Sequence, residues 1–128
     1  MSAHLFFEIH ADDMQRVAEF YQRIFGWKFY NHESQGEISV EYMRIETGGT
    51  AGGLLKRPAA TLPPEGGTNA FVCSFEVGDF DTVSDKIQSA GGEITLAKFA
   101  IPGMCRQEYF LDTEGNTFGL FQVDELAK

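Results

Sequence analysis

The sequence predicts an α+β fold in which a module of one strand, one helix and three further strands occurs twice. Three observations predict it. Phe7-Glu8-Ile9 and Phe75-Glu76-Val77 repeat one strand pattern; each is followed by aspartates and then by apolar residues at helical spacing; a Pro/Gly-rich stretch separates the copies. A repeat of this kind determines the architecture before any motif is read.

The first strand is Leu5 to His10, where Leu5, Phe7 and Ile9 alternate with Phe6, Glu8 and His10. The first row is expected to be buried. Asp12 or Asp13 caps the helix that follows, with Gln15 three residues after Asp12 as a capping box requires. Met14, Val17, Tyr21, Ile24 and Phe25 form its apolar stripe, and Gly26 stands where a C-terminal glycine belongs. Strands are expected at Trp27 to His32, at Glu37 to Thr47 and, short, at Ala51 to Lys56. Gly52 and Gly53 weaken that last strand unless something must approach its backbone closely.

Pro58, Pro63, Pro64, Gly66 and Gly67 mark a linker over 58–68. A single domain is therefore expected over 1–128, with internal modules 1–57 and 69–128. The second copy opens on Ala70 to Val77, with Phe71, Cys73, Phe75 and Val77 on one face and Val72, Ser74 and Glu76 on the other. Asp79 or Asp81 caps a helix carrying Phe80, Val83, Ile87 and Ala90, which Gly91-Gly92 ends. Strands then follow at Glu93 to Ala100, Arg106 to Asp112 and Thr117 to Val123. Asp112-Thr113-Glu114-Gly115-Asn116 supplies the turn before the last strand, because Gly and Asn tolerate positive φ and short polar side chains bond nearby backbone.

With 128 residues, 43% of them apolar and 12 phenylalanines, the chain can fill one ordinary core. Its formal charge of −9 disfavours a nucleic acid or an anionic membrane as partner. The N-terminus lacks a secretory pattern and no apolar run approaches the roughly 18 residues of a membrane span, so a cytoplasmic protein is expected. Cys73 and Cys105 lack metal spacing and are expected to be free thiols.

Ala11-Asp12-Asp13 before Phe20-Tyr21, Phe25-Gly26-Trp27, and Asp112 through Asn116 together resemble the vicinal oxygen chelate superfamily over nearly the whole chain. That group includes glyoxalase I, bleomycin-resistance proteins and extradiol dioxygenases. Phe7-Glu8-Ile9, Ala100-Ile101-Pro102-Gly103 and Asp112 through Leu120 look most like its small glyoxalase-like proteins of unassigned substrate. The resemblance implies paired βαβββ modules forming an open barrel-like cup, usually as a homodimer. In metal-dependent members it also implies a cation held by His, Glu or Gln from the first and last strands of the modules. Matched to this chain, those positions fall on Phe6, on Val72 or its neighbour, on Gly119, and on Gly52 or Gly53. None carries a ligating side chain, so neither a metal nor another cofactor is expected.

If Phe6 faces the cup, alternation brings Glu8 and His10 with it, and Ser74 and Glu76 from the other copy. Glu8, Glu76 and His10 are then candidates for acid–base catalysis of lyase or isomerase type. The structural alternative is that both glutamates bond neighbouring strands, or pair with Arg44 or Arg106. Phe6, Ser74, Tyr109 and Phe121 are candidate ligand contacts, joined by Met104 if the loop Ala100 to Cys105 covers the cup mouth rather than merely connecting strands. The expected function is binding of a small organic molecule in the cup. Alternatives are a non-catalytic sequestering protein of bleomycin-resistance type and a metal-dependent lyase or dioxygenase with relocated ligands.

Overall fold

A computed structural model describes residues 5–31, 42–57 and 71–128. The elements run β1 (Phe7–Ala11), α1 (Met14–Phe25), β2 (Lys28–Asn31), β3 (Tyr42–Glu46), β4 (Gly52–Lys56), β5 (Cys73–Glu76), α2 (Phe80–Ser89), β6 (Glu93–Ile101), β7 (Cys105–Leu111) and β8 (Thr117–Val123). This is the expected α+β order of strand, helix and three strands, twice. The chain divides into two compact units, Met1–Thr61 and Leu62–Lys128.

Each unit holds one four-stranded sheet, ordered β1-β4-β3-β2 in the first and β5-β8-β7-β6 in the second. In both, the first strand pairs in parallel with the last, and the remaining neighbours are antiparallel. Glu8 lies opposite Gly53 and five residues before the cap Asp13, as Ser74 lies opposite Gly119 and five before Asp79. Ser74 is therefore the counterpart of Glu8 and Glu76 that of His10; the repeat read from Phe7-Glu8-Ile9 and Phe75-Glu76-Val77 is offset by two residues.

Both helices begin on the second of the aspartate choices or the first, as local geometry dictates. Asp13 caps α1, its Oδ1 accepting from Arg16 N at 3.0 Å; Asp79 caps α2, accepting from Thr82 N and the Thr82 hydroxyl. With Asp13 as the cap, the box between Asp12 and Gln15 does not form, and Gln15 instead donates to Glu19. Gly26 ends α1 at φ 72°, a left-handed conformation that costs glycine nothing, and donates to Gln22 O.

The core of the first unit joins Val17, Tyr21 and Ile24 of α1 to Ile9, Ile45 and Leu54 of the sheet. Trp27 closes it, stacked on Tyr21 at 5.1 Å and near Phe7 and Phe25. In the second, Phe80 and Ile87 of α2 meet Phe110, Phe118 and Leu120, with Phe110 stacked on Phe118 at 5.5 Å.

The buried rows are shorter than alternation suggests. Leu5 precedes β1 and is 74% exposed; Phe71 and Cys73 are exposed as well. The reason is coverage: α2 lies over β8 and β6, so the start of edge strand β5 has no helix above it. Ile38, Val40, His4, His32 and the linker lie outside the described residues, as do the outer parts of the strands expected at Glu37 to Thr47 and Ala70 to Val77. The chain from Ala100 to Cys105 is a strand connector: β6 and β7 join through Pro102 to Met104, with Met104 N donating to Ile101 O. It forms a hairpin tip.

One buried carboxylate organises the second sheet. Tyr109 pairs with Leu96 and Gln107 with Phe99, so β6 bulges opposite Glu108. Glu108 is only 5% exposed; it accepts from Lys98 N, which the bulge takes out of the ladder, and from the Ser84 hydroxyl at 2.8 Å. The irregular strand is thereby tied to α2 with its polar groups satisfied.

Candidate functional site

On each sheet, one face meets the helix; the other carries the predicted Glu8 and His10 in the first unit and Ser74, Glu76, Tyr109 and Phe121 in the second. In the second unit the latter face reads across the strands in two rows. Register gives Ser74, Gly119, Tyr109 and Leu96 in one, and Glu76, Phe121, Gln107 and Phe99 in the next.

Gln107 ties the rows together. Its Nε2 donates to Ser74 Oγ at 3.0 Å and to Tyr109 Oη at 2.9 Å. Ser74 reaches in this far because residue 119 is glycine: a Cβ there would stand 2.2 Å from Ser74 Oγ and 3.0 Å from Tyr109 Cε1. The Phe99 ring stacks on Tyr109 with centroids 6.2 Å apart. The Glu76 side chain makes no hydrogen bond or ion pair among the described residues.

In the first unit the corresponding face carries Glu8, His10, Tyr42, Arg44 and Tyr30. His10 Nε2 lies 3.1 Å from Glu8 Oε2, both side chains partly exposed. Arg44 pairs with Glu46 at 3.2 Å and lies over the Tyr30 ring. Arg106 pairs with Asp124 at 3.1 Å, so among the described residues the ion pairs of Arg44 and Arg106 are with Glu46 and Asp124. Close approach explains Gly52 and Gly53: a Cβ would meet the Phe7 ring at 2.4 Å in one case and the Tyr42 ring at 2.5 Å in the other.

Of the predicted contacts, Ser74 and Tyr109 join one network, with Phe121 in the adjacent row. Phe6 stands exposed just before β1, and Met104 is exposed at the hairpin tip, where its carbonyl accepts from Asp124 N. Gln107 escaped the sequence reading. Its alternation with Tyr109 was the available signal, but only cross-strand register shows which hydroxyls it reaches.

A cation of the type that the resemblance implies does not fit these residues. The position on β8 is Gly119, facing Ser74 rather than Val72, and the volume a ligating side chain would need there is filled by the Ser74 hydroxyl and the Tyr109 ring. Among the described residues no three His, Cys, Asp or Glu side chains come together as a ligand set.

Open clefts border these faces at Phe99 and at Tyr42. One of about 280 Å³ is bounded by Lys98, Phe99, Arg106 and Lys128; Lys98 and Arg106 are engaged by Asp81 and Asp124. The other, of about 680 Å³, is bounded by Asp12, Asp13, Gln15, Asn31 and Tyr42. Neither includes Ser74, Gln107 or Glu8.

The family model described as Glyoxalase/Bleomycin resistance protein/Dioxygenase superfamily matches residues 3–120. The chain belongs to this superfamily. Proteins named "Putative glyoxylase CFP32" from Mycobacterium bovis and Mycobacterium tuberculosis are each 26% identical over 117 residues. The match takes in 91% of this chain but 44% of theirs, so the chain spans less than half the length of those curated relatives. Among solved structures, hypothetical protein SA1046 from S. aureus is 21% identical with a TM-score of 0.72, covering 95% of each chain. The fosfomycin resistance protein FosX from Listeria monocytogenes, in a monoclinic form at pH 6.5, is 16% identical with a TM-score of 0.77, covering 97% of this chain and 95% of its own. A glyoxylase/bleomycin resistance protein/dioxygenase domain from Frankia sp. EAN1pec, also 16% identical, gives 0.74 over 98% and 94%. These likenesses establish the fold. No helix is long and apolar enough to cross a membrane among the described residues.

Proposed function

We propose that this superfamily member binds a small organic molecule on the face of its second sheet that bears Ser74, without the divalent cation used by its metal-dependent relatives. One observation carries the reading: at Gly119 the site that would host a ligating side chain is occupied by the Ser74 hydroxyl and the Tyr109 ring. Phe6, at the other matched position, contributes an exposed ring. Equilibrium dialysis against Mn²⁺, Ni²⁺ and Zn²⁺ followed by elemental analysis tests it; a stoichiometric, tightly held cation overturns it.

Within this reading Glu76 is the candidate base, because its carboxylate is unengaged, and Glu8 with His10 forms a second acid–base pair. The reaction class is proton transfer, as a lyase or isomerase performs. A sequestering protein without chemistry is the other reading, favoured by the way His10 already occupies Glu8. A thermal-shift screen of metabolites identifies ligands through their stabilisation of the folded state. Turnover that disappears in Glu76→Gln or Glu8→Gln while binding persists selects catalysis; binding without turnover selects sequestration. The family resemblance supports a homodimer, which sedimentation equilibrium tests.

A further inference from the structure

We infer that Ser74, Gln107 and Tyr109 form a binding site for the carbonyl oxygen of a neutral, planar organic compound. The inference deepens the proposed small-molecule function and rests on it. A primary amide has two N–H hydrogens, and Gln107 Nε2 directs one to each hydroxyl oxygen, at 3.0 and 2.9 Å. With the amide turned this way, Ser74 Oγ and Tyr109 Oη both act as acceptors, and each keeps its own O–H. No described residue accepts either hydrogen. Two donors from different strands are thus held close to one nitrogen, with their protons available to a ligand.

A carbonyl oxygen has two lone pairs and suits such a pair. The carbon skeleton attached to it meets aromatic surface, since Phe121 and Phe99 flank Gln107 in the adjacent row and Phe99 is stacked on Tyr109. Charge selects a neutral compound. The face carries no Lys or Arg in these two rows, Glu76 stands two residues from Ser74 on the same face, and the whole chain bears −9. A carboxylate would face repulsion with no cation to offset its desolvation.

The site is tested with three probes of similar shape: acetophenone, benzoate and ethylbenzene. Each is titrated into isotopically labelled full-length protein and followed by amide shifts, while infrared spectroscopy reads the acetophenone carbonyl stretch. Acetophenone is expected to shift residues 74–76, 107–109 and 119–121 and to bind about tenfold tighter than ethylbenzene or benzoate, as two net hydrogen bonds allow. Tyr109→Phe and Ser74→Ala should each lower its affinity about fivefold. The double variant should return the carbonyl stretch toward its non-bonded frequency. Far-UV circular dichroism and the amide spectrum verify that the variants fold; Tyr109→Phe keeps the ring that stacks on Phe99. Equal binding of ethylbenzene, tighter binding of benzoate, an unmoved stretch in the double variant, or no acetophenone binding overturns the inference. The broader function falls separately, if the metabolite screen finds no ligand at all.

Discussion

Gly119→Ala is the substitution that interrogates the second sheet most directly. The new Cβ would stand 2.2 Å from Ser74 Oγ, 3.0 Å from Tyr109 Cε1 and 3.1 Å from Ser74 Cβ, so Ser74 must rotate away and its bond from Gln107 is lost. Overpacking costs about 1–3 kcal/mol, and the lost hydrogen bond adds about 1 kcal/mol. Replacing a strand glycine returns roughly 0.5–1 kcal/mol through the unfolded chain. The net expectation is a destabilisation of about 1–3 kcal/mol. Urea unfolding reads it as a lower midpoint with an unchanged slope. The companion Ser74→Gly removes every close serine atom, so the double variant should recover at least about 1 kcal/mol relative to additivity. A neutral or stabilising Gly119→Ala, or a double variant that is simply additive, refutes the account of why glycine stands there.

Further outcomes follow from the carboxylates that hold the backbone. Asp112, 5% exposed, accepts from Glu114 N, Asn116 N and Asn116 Nδ2, so Asp112→Ala should cost about 2–4 kcal/mol in urea unfolding. Glu108→Ala leaves Ser84 Oγ and Lys98 N without their acceptor and should cost about 2–3 kcal/mol, with faster hydrogen exchange along β6. The Thr82 hydroxyl and N–H hold the Asp79 carboxyl below its usual 3.8, and Leu126 N–H with Arg106 does the same for Asp124. Their folded pKa values lie below the unfolded ones, so each contributes stability above the unfolded pKa that is lost as pH falls through the folded one. Acid titration of the unfolding midpoint should therefore show a decline below pH 3.8 that Asp79→Asn and Asp124→Asn make shallower.

Much of this was legible along the chain because its causes are local. The helix stripes, the aspartate before each helix, Gly26 after α1 and the turn from Asp112 to Asn116 all depend on residues within a few positions of one another. Alternation likewise put Ser74 with Glu76, and Glu8 with His10, on common faces. It overestimated burial at Leu5, Phe71 and Cys73, since periodicity assigns a face but not the helix that covers it.

By itself, then, the sequence determined the repeat, the order of elements and the absence of ligating side chains at Phe6 and Gly119. Only the tertiary structure decided what fills those positions. Gln107 lies 33 residues from Ser74 and on a strand between β8 and β6, so its bond to that hydroxyl exists only through parallel β5–β8 and antiparallel β7–β8 register. The same holds for Glu108, whose role arises from a bulge in the opposing strand. Register is a property of paired strands, set by backbone hydrogen bonds between distant segments, and no single stretch of residues encodes it.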